Sequence, residues 1–284
     1  MSLLVNPQTE RQLSDFIGKP SHGLLLLGPS GSGKFSLAQQ LAENLLNLEA
    51  GKLVDYGYQR VIEPDEKDTI SIEAIRELEH FLSLKVPGSK SPNRAVIITH
   101  SQAMTPEAQN ALLKTLEEPP AGTILILTAG HAQSLLPTIR SRVQLVNLLS
   151  PSGEQLLKHF EAAGFATKQI QQSHAISGGL PGLMTAMLND EDHPLHAATE
   201  LARQLLGQSI YERLCQVDSL AKQRQLLEDT LFILQQMAHV ALQSASGAQS
   251  KKWQQILTAS YEAKRSLAAN GQTKLVLIDL MLAL

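Results

Sequence analysis

The run Gly28-Pro29-Ser30-Gly31-Ser32-Gly33-Lys34 has residue types and spacing that could do chemistry on a phosphate. Two glycines bracket four residues and a lysine follows. The small residues Ser30, Gly31, Ser32 and Gly33 let successive backbone N–H groups converge on anionic oxygens. The apolar run Gly23 to Leu27 precedes the segment and an amphipathic stretch follows it, so the loop should join a strand to a helix. The helix N-terminus adds a field that favours negative charge, and Lys34 would reach the terminal phosphates. ATP or another nucleotide is the ligand such a loop would take. A plain glycine-rich turn with an exposed lysine is the alternative, but it does not explain the strand and helix on either side.

Hydrolysis asks for more than phosphate binding. The position after the lysine should carry a Ser or Thr hydroxyl to ligate magnesium, and Phe35 stands there. Ser36 is one residue further on and points about 100° away around a helix, which makes it a poor substitute. A neighbouring strand should end in a carboxylate, yet the run Ala95 to Ile98 leads into Thr99-His100. His100 as a replacement base or metal ligand is the weaker reading, because a lone strand-end histidine is more often structural. No metal site is expected.

These residues need a scaffold, and the pattern from Gly23 to about Ser150 supplies one. Short aliphatic runs at Leu24 to Leu27, Ala95 to Ile98, Thr123 to Leu127 and Val143 to Leu148 read as strands buried on both faces. Helices are predicted to start near Gly33, Ser71 and Pro106, the last with Thr105 as N-cap and Pro106 at the favoured first position. Pro119-Pro120 should stop that helix after Glu117-Glu118. The fold class expected is α/β, a parallel sheet covered by helices. The turn-rich junction around Ser150 to Gly153 suggests a boundary, after which strand-like runs give way to helical periodicity. Residues 151–193 read as a small helical unit interrupted by Ser177-Gly178-Gly179-Leu180-Pro181-Gly182, with a linker at Asn189 to Pro194. Residues 194–284 read as an all-helical unit with helices of 12 to 24 residues and a loop at Ser244 to Ser250.

Composition narrows the classes. With 43% hydrophobic and 18% charged residues among 284, the chain should fold into two or three units. A formal net charge of -3 argues against an autonomous DNA-binding domain, so any nucleic-acid contact must be local or shared. The single cysteine, Cys215, excludes an internal disulfide and fits a reducing compartment. Met1 to Lys19 has no apolar run like a signal peptide, and no stretch approaches the roughly 20 residues a membrane helix needs. A cytoplasmic location without membrane contact is the expectation.

Three further segments carry a resemblance: Asn110-Ala111-Leu112-Leu113-Lys114-Thr115-Leu116-Glu117-Glu118-Pro119-Pro120, then Thr138-Ile139-Arg140-Ser141-Arg142, and Ser177 to Gly182. Together with the phosphate loop, in this order and spacing, they resemble the bacterial DNA polymerase III clamp loader. Residues 5–190 carry the likeness; the C-terminal helices share it by position and in Asn270 to Leu284. Phe35, Thr99-His100 and Leu180-Pro181-Gly182 depart from the gamma and tau motor subunits of that family in the manner of its delta-prime subunits. The resemblance implies an AAA+ P-loop core over 1–150, a helical lid over 151–193 and a helical collar for oligomerisation over 194–284. It implies a subunit that needs no cofactor of its own and hydrolyses no ATP. Its partners would be the gamma or tau and delta subunits, the sliding clamp, and primed DNA through the assembled complex.

Many members of that family carry a four-cysteine zinc module after the P-loop helix, but Leu45 to Arg60 contains no cysteine, so zinc is not expected. The family's Ser-Arg-Cys motif reads Ser141-Arg142-Val143 in this chain. The resemblance makes Arg142 an arginine finger acting in a neighbouring subunit's ATP site, with Arg140 a weaker candidate. Guanidinium suits that task because it is permanently charged and donates several bonds in one plane. A surface salt bridge is the plainer reading of the same arginine. Ala111, Leu112 and Leu116 should face the core, while Lys114, Glu117 and Glu118 could meet a partner or only water. Two other functions compete: an active motor using Ser36 or His100, and a stand-alone small-molecule binding or phosphotransfer protein. The helical C-terminal part, which offers no acid, base or metal cluster, counts against the second.

Overall fold

The computed structural model describes residues 4–65, 67–86, 92–189, 193, 195–269 and 271–284. Two compact units make up the chain, Met1–Ser150 and Pro151–Leu284.

The first unit is built on five short strands: β1 (Gly23–Leu27), β2 (Gln59–Ile62), β3 (Arg94–Ile98), β4 (Thr123–Ala129) and β5 (Gln144–Asn147). All pair in parallel, in the order β2-β3-β4-β1-β5, which places β1 inside the sheet. Side chains alternate between faces along each strand. One face carries Leu25, Leu27, Val96, Ile98, Leu125 and Leu127 against Ile75, Leu78 and Leu82 of α3 (Ile72–Ser83) and Ala108, Leu112 and Leu116 of α4 (Pro106–Glu117). The other carries Leu24, Leu26, Ala95, Ile97, Ile124 and Ile126 against Leu13 and Phe16 of α1 (Pro7–Gly18) and Leu37, Ala38, Leu41 and Leu45 of α2 (Lys34–Leu46). Burial on both faces is why these strands are aliphatic throughout.

Each of the four expected strands is present within two residues of its expected ends. The helix expected at Pro106 is α4, capped by Thr105 Oγ1, which accepts from the Ala108 N–H at 3.2 Å, and it ends at Glu117 before the proline pair. Elements that were not expected include α1, β2 and α5 (Pro137–Arg140). α1 is capped by the Asn6 side chain, and β2 is an edge strand with only Ile62 fully buried. The four-residue helix α5 leads into β5.

Among the described residues the second unit is all helical: α6 (Gly153–Ala162), α7 (Thr167–Ser177), α8 (Pro181–Asn189), α9 (His196–Gly207), α10 (Ile210–Cys215), α11 (Val217–Leu220), α12 (Arg224–Ser244), α13 (Gly247–Ala268) and α14 (Thr273–Ala283). One core runs through Leu183, Ala202, Leu234, Ile256 and Leu277, so residues expected to form a lid and a collar share a single compact unit. Helices α10 and α11 are shorter than the expected 12 residues, and the break expected over Ser244 to Ser250 shrinks to Ala245 and Ser246 between two long helices. Of the expected linker, 190–192 and 194 lie outside the described residues, as does Asn270 of the final segment. Gly178 ends α7 at φ +63° and packs so closely on α12 that a Cβ there would lie 2.2 Å from Gln236 Cβ. Arg213, buried on α10, donates through Nε to the Leu205 carbonyl at 2.7 Å and through Nη1 to the Met281 carbonyl at 3.3 Å, tying α9 and α14 together. No described helix is long and apolar enough to cross a membrane.

Candidate functional site

The loop between β1 and α2 has the backbone that phosphate binding asks for. Gly31 and Gly33 adopt φ of +74° and +81°, conformations glycine reaches without steric cost, and Gly33 caps α2 with no side chain in the way. Ser32 braces the turn, its hydroxyl donating to the Pro29 carbonyl at 2.8 Å. Gly28 is anchored by its N–H on the Ala129 carbonyl at 3.2 Å, and a Cβ there would press on Leu148 and Ser32. Gly28, Ser30, Gly31, Ser32, Gly33 and Lys34 are therefore brought together at the end of a buried strand, as the spacing required.

Lys34 is turned into this loop. Its Nζ donates to the Gly28 carbonyl at 2.8 Å and the Pro29 carbonyl at 2.6 Å. Burial lowers its pKa from 10.5 to about 8. An ammonium held this way lacks an anion, and a phosphate group would supply the missing charge. The residues present fit the phosphates of a nucleotide. They do not supply the metal: Phe35 is 38% exposed on the outer face of α2, and Ser36 is exposed as well.

The end of β3 is equally poor in the carboxylates that would hold magnesium. Thr99 is buried and spends its hydroxyl on the Ile62 carbonyl of β2 at 3.3 Å, while its N–H bonds to the same carbonyl at 2.9 Å. His100 is held at φ +45°, its backbone N–H donating to Thr128 Oγ1 at 3.1 Å. Burial and then the Lys34 charge hold its imidazole below the ordinary histidine value, against the opposite pull of Glu63 and Asp68. Both opposing charges belong to the segment after β2, which sequence reasoning passed over because β2 itself was not expected. The signal was Glu63 directly after the run Val61-Ile62. Among the described residues, no group of three or more His, Cys, Asp or Glu side chains could hold a metal ion.

Arg142 lies at the other end of the sheet. It precedes β5, whose Gln144 pairs with Leu24 of β1, and its carbonyl oxygen is 3.6 Å from where a Cβ on Gly23 would sit. Gly23 opens β1 and Gly28 follows its last residue, so five residues at ~3.3 Å each separate the two ends by roughly 16 Å. Arg142 cannot serve a phosphate held at Lys34 of its own chain. Its guanidinium is engaged locally: Nη2 pairs with Glu117 Oε1 at 2.7 Å, and Nη1 donates to the Thr138 carbonyl at 3.0 Å and Ser141 Oγ at 3.3 Å. The surface ion pair anticipated for this arginine therefore exists, and Glu117, whose role the sequence left open, is its partner.

A family model described as "DNA polymerase III, delta subunit" matches residues 6–152, just over half of the chain. The chain belongs to this family. The delta-prime subunit of DNA polymerase III from Pseudomonas aeruginosa is 32% identical over 183 residues, covering 57% of this chain and 54% of that protein. The delta-prime subunit from Escherichia coli K12 is 28% identical over 216 residues, covering 66% and 61%. The chain thus matches between about half and three-fifths of these relatives' own length. Among solved structures, the RuvB Holliday junction branch migration motor of Thermotoga maritima superposes with a TM-score of 0.50 at 16% identity, over 71% of this chain and 63% of that one. At that identity the likeness shows the fold alone, a parallel sheet covered by helices.

Proposed function

We propose that the chain is a non-hydrolysing subunit of the DNA polymerase III clamp loader. It completes a ring with gamma or tau and delta subunits, supports ATP-driven loading of the sliding clamp onto primed DNA, and supplies Arg142 to a neighbour's ATP site. The observation that supports this reading is the placement of Arg142 roughly 16 Å of strand away from its own P-loop, too far to serve a phosphate held there. Phe35, Thr99 and His100 support the non-hydrolysing half, since none is a carboxylate that could place magnesium and polarise water, and the buried Thr99 hydroxyl is spent on the Ile62 carbonyl. The P-loop would hold nucleotide for assembly rather than turnover, with Lys34 and the backbone of Gly31 to Gly33 meeting its phosphates. With a net charge of -3, contact with DNA belongs to the assembled complex. Ile210, Tyr211, Leu275 and Leu282 are exposed on α10 and α14, an apolar surface suited to packing on other subunits in the cytoplasm.

The test uses the purified chain with magnesium and ATP. Turnover should stay at background for both wild type and Lys34→Ala, and the chain should co-purify with a motor subunit that carries intact nucleotide motifs. Steady turnover that Lys34→Ala abolishes would make the chain an active ATPase and overturn the reading.

A further inference from the structure

The Arg142 guanidinium rests on groups that the fold brings to it, the Glu117 carboxylate, the Thr138 carbonyl and the Ser141 hydroxyl. Thr138 belongs to α5, four residues before Arg142, so Nη1 folds back onto the helix that precedes it. Glu117 is the last residue of α4, 25 positions away in sequence. The two helices are locked together by Gln109, buried on α4. Its Oε1 accepts from the Leu136 N–H at 2.9 Å, and its Nε2 donates to the Met104 carbonyl at 3.3 Å. The carboxylate is thus presented to the arginine by rigid elements.

A finger that reaches an anion in a neighbouring subunit must leave this resting place. Carboxylate and phosphate compete for the same planar fork of donors, and one guanidinium edge cannot serve both. We infer that Glu117 is a latch, holding Arg142 retracted until the phosphate of a nucleotide in the neighbour displaces it. This rests on the reading of Arg142 as a finger acting in trans. The pair is exposed on both sides, 34% at the arginine and 51% at the glutamate, so water receives the carboxylate once the arginine departs. Pairs of this kind are weakly held, which makes the latch reversible. It biases the arginine against neighbours that carry no nucleotide, because only a phosphate outcompetes Glu117.

The experiment reconstitutes the complex with a motor subunit and ATP, and titrates in this chain as wild type, Glu117→Gln, Glu117→Asp, Arg142→Ala or the Glu117→Gln/Arg142→Ala double variant. The latch predicts that Glu117→Gln lowers the half-saturating concentration about two- to fivefold with the plateau unchanged, the range expected of an exposed ion pair. Glu117→Asp should stay near wild type. Raising the salt from 50 to 500 mM should shrink the gap between Glu117→Gln and wild type, because screening weakens the pair. The double variant should match Arg142→Ala alone, since the latch acts only through the arginine. An unchanged or raised half-saturating concentration for Glu117→Gln, alongside a lowered plateau for Arg142→Ala, overturns the latch and leaves the finger standing. No effect of Arg142→Ala on the plateau removes the finger, and the latch with it.

Discussion

Replacing Lys34 by methionine should erase a pH dependence of stability that the wild type carries between pH 8 and 10.5. The ammonium is turned onto the Gly28 and Pro29 carbonyls, and burial lowers its pKa from 10.5 to about 8. At 1.36 kcal/mol for each pH unit, the charged form is disfavoured in the folded chain by ~3 kcal/mol at most. Because the folded pKa lies below the unfolded one, the unfolded chain binds more protons between those values, and stability rises with pH across the window. Below pH 8 the penalty is present in full; by pH 10.5 it has gone. Urea unfolding at pH 7.5, 9 and 10.5 measures it as the difference between wild type and Lys34→Met, in which titration of the other lysines and tyrosines cancels. Wild type should gain up to ~3 kcal/mol relative to the variant over that range. A difference that stays flat within about 0.5 kcal/mol would mean that Lys34 is solvated rather than turned into the loop, and the account of a desolvated charge awaiting phosphate would fail.

Three other substitutions probe the scaffold and the missing chemistry. Gly178→Ala should cost ~2–4 kcal/mol in thermal or urea unfolding, combining an overpacked contact with a left-handed backbone at φ +63°; a loss below about 0.5 kcal/mol would contradict the close approach to Gln236. Gln109→Leu should cost about 1–3 kcal/mol by leaving the Leu136 N–H without its acceptor, measured the same way, and an unchanged midpoint would count against the tie between α4 and α5. Phe35→Thr restores the P-loop hydroxyl but leaves Thr99 and His100 in place, so ATP turnover by the purified chain should remain at background; turnover that depends on Lys34 would show that the hydroxyl alone was missing.

The central strands were legible in the sequence because burial on both faces makes them aliphatic throughout. Leu24 to Leu27 and Ala95 to Ile98 admit few other readings. The edge was not. In β2, Gln59, Arg60 and Val61 all keep some contact with solvent, so neither alternation nor a long apolar run marks it. Missing β2 hid Glu63, and with it the acids that act on His100. In α1 the fully buried apolar residues are Leu13 and Phe16 alone, too few for periodicity to stand out in a polar segment. The phosphate loop was legible because its demands are local, glycines at fixed offsets before a helix. The pairing of Arg142 with Glu117 was not, since it depends on how α4 and α5 pack and no spacing along the chain encodes it.

The claim that this chain serves catalysis in a neighbour's site is tested most directly by Arg142→Ala in the reconstituted complex. The chain is supplied at saturating concentration, assembly is confirmed by gel filtration, and ATP hydrolysis is followed in a single turnover. The account predicts that the complex still forms while the served site slows by about a thousandfold or more, the range an arginine finger contributes, so that one site's share of the burst disappears. A burst of unchanged rate and amplitude in the assembled complex would contradict it.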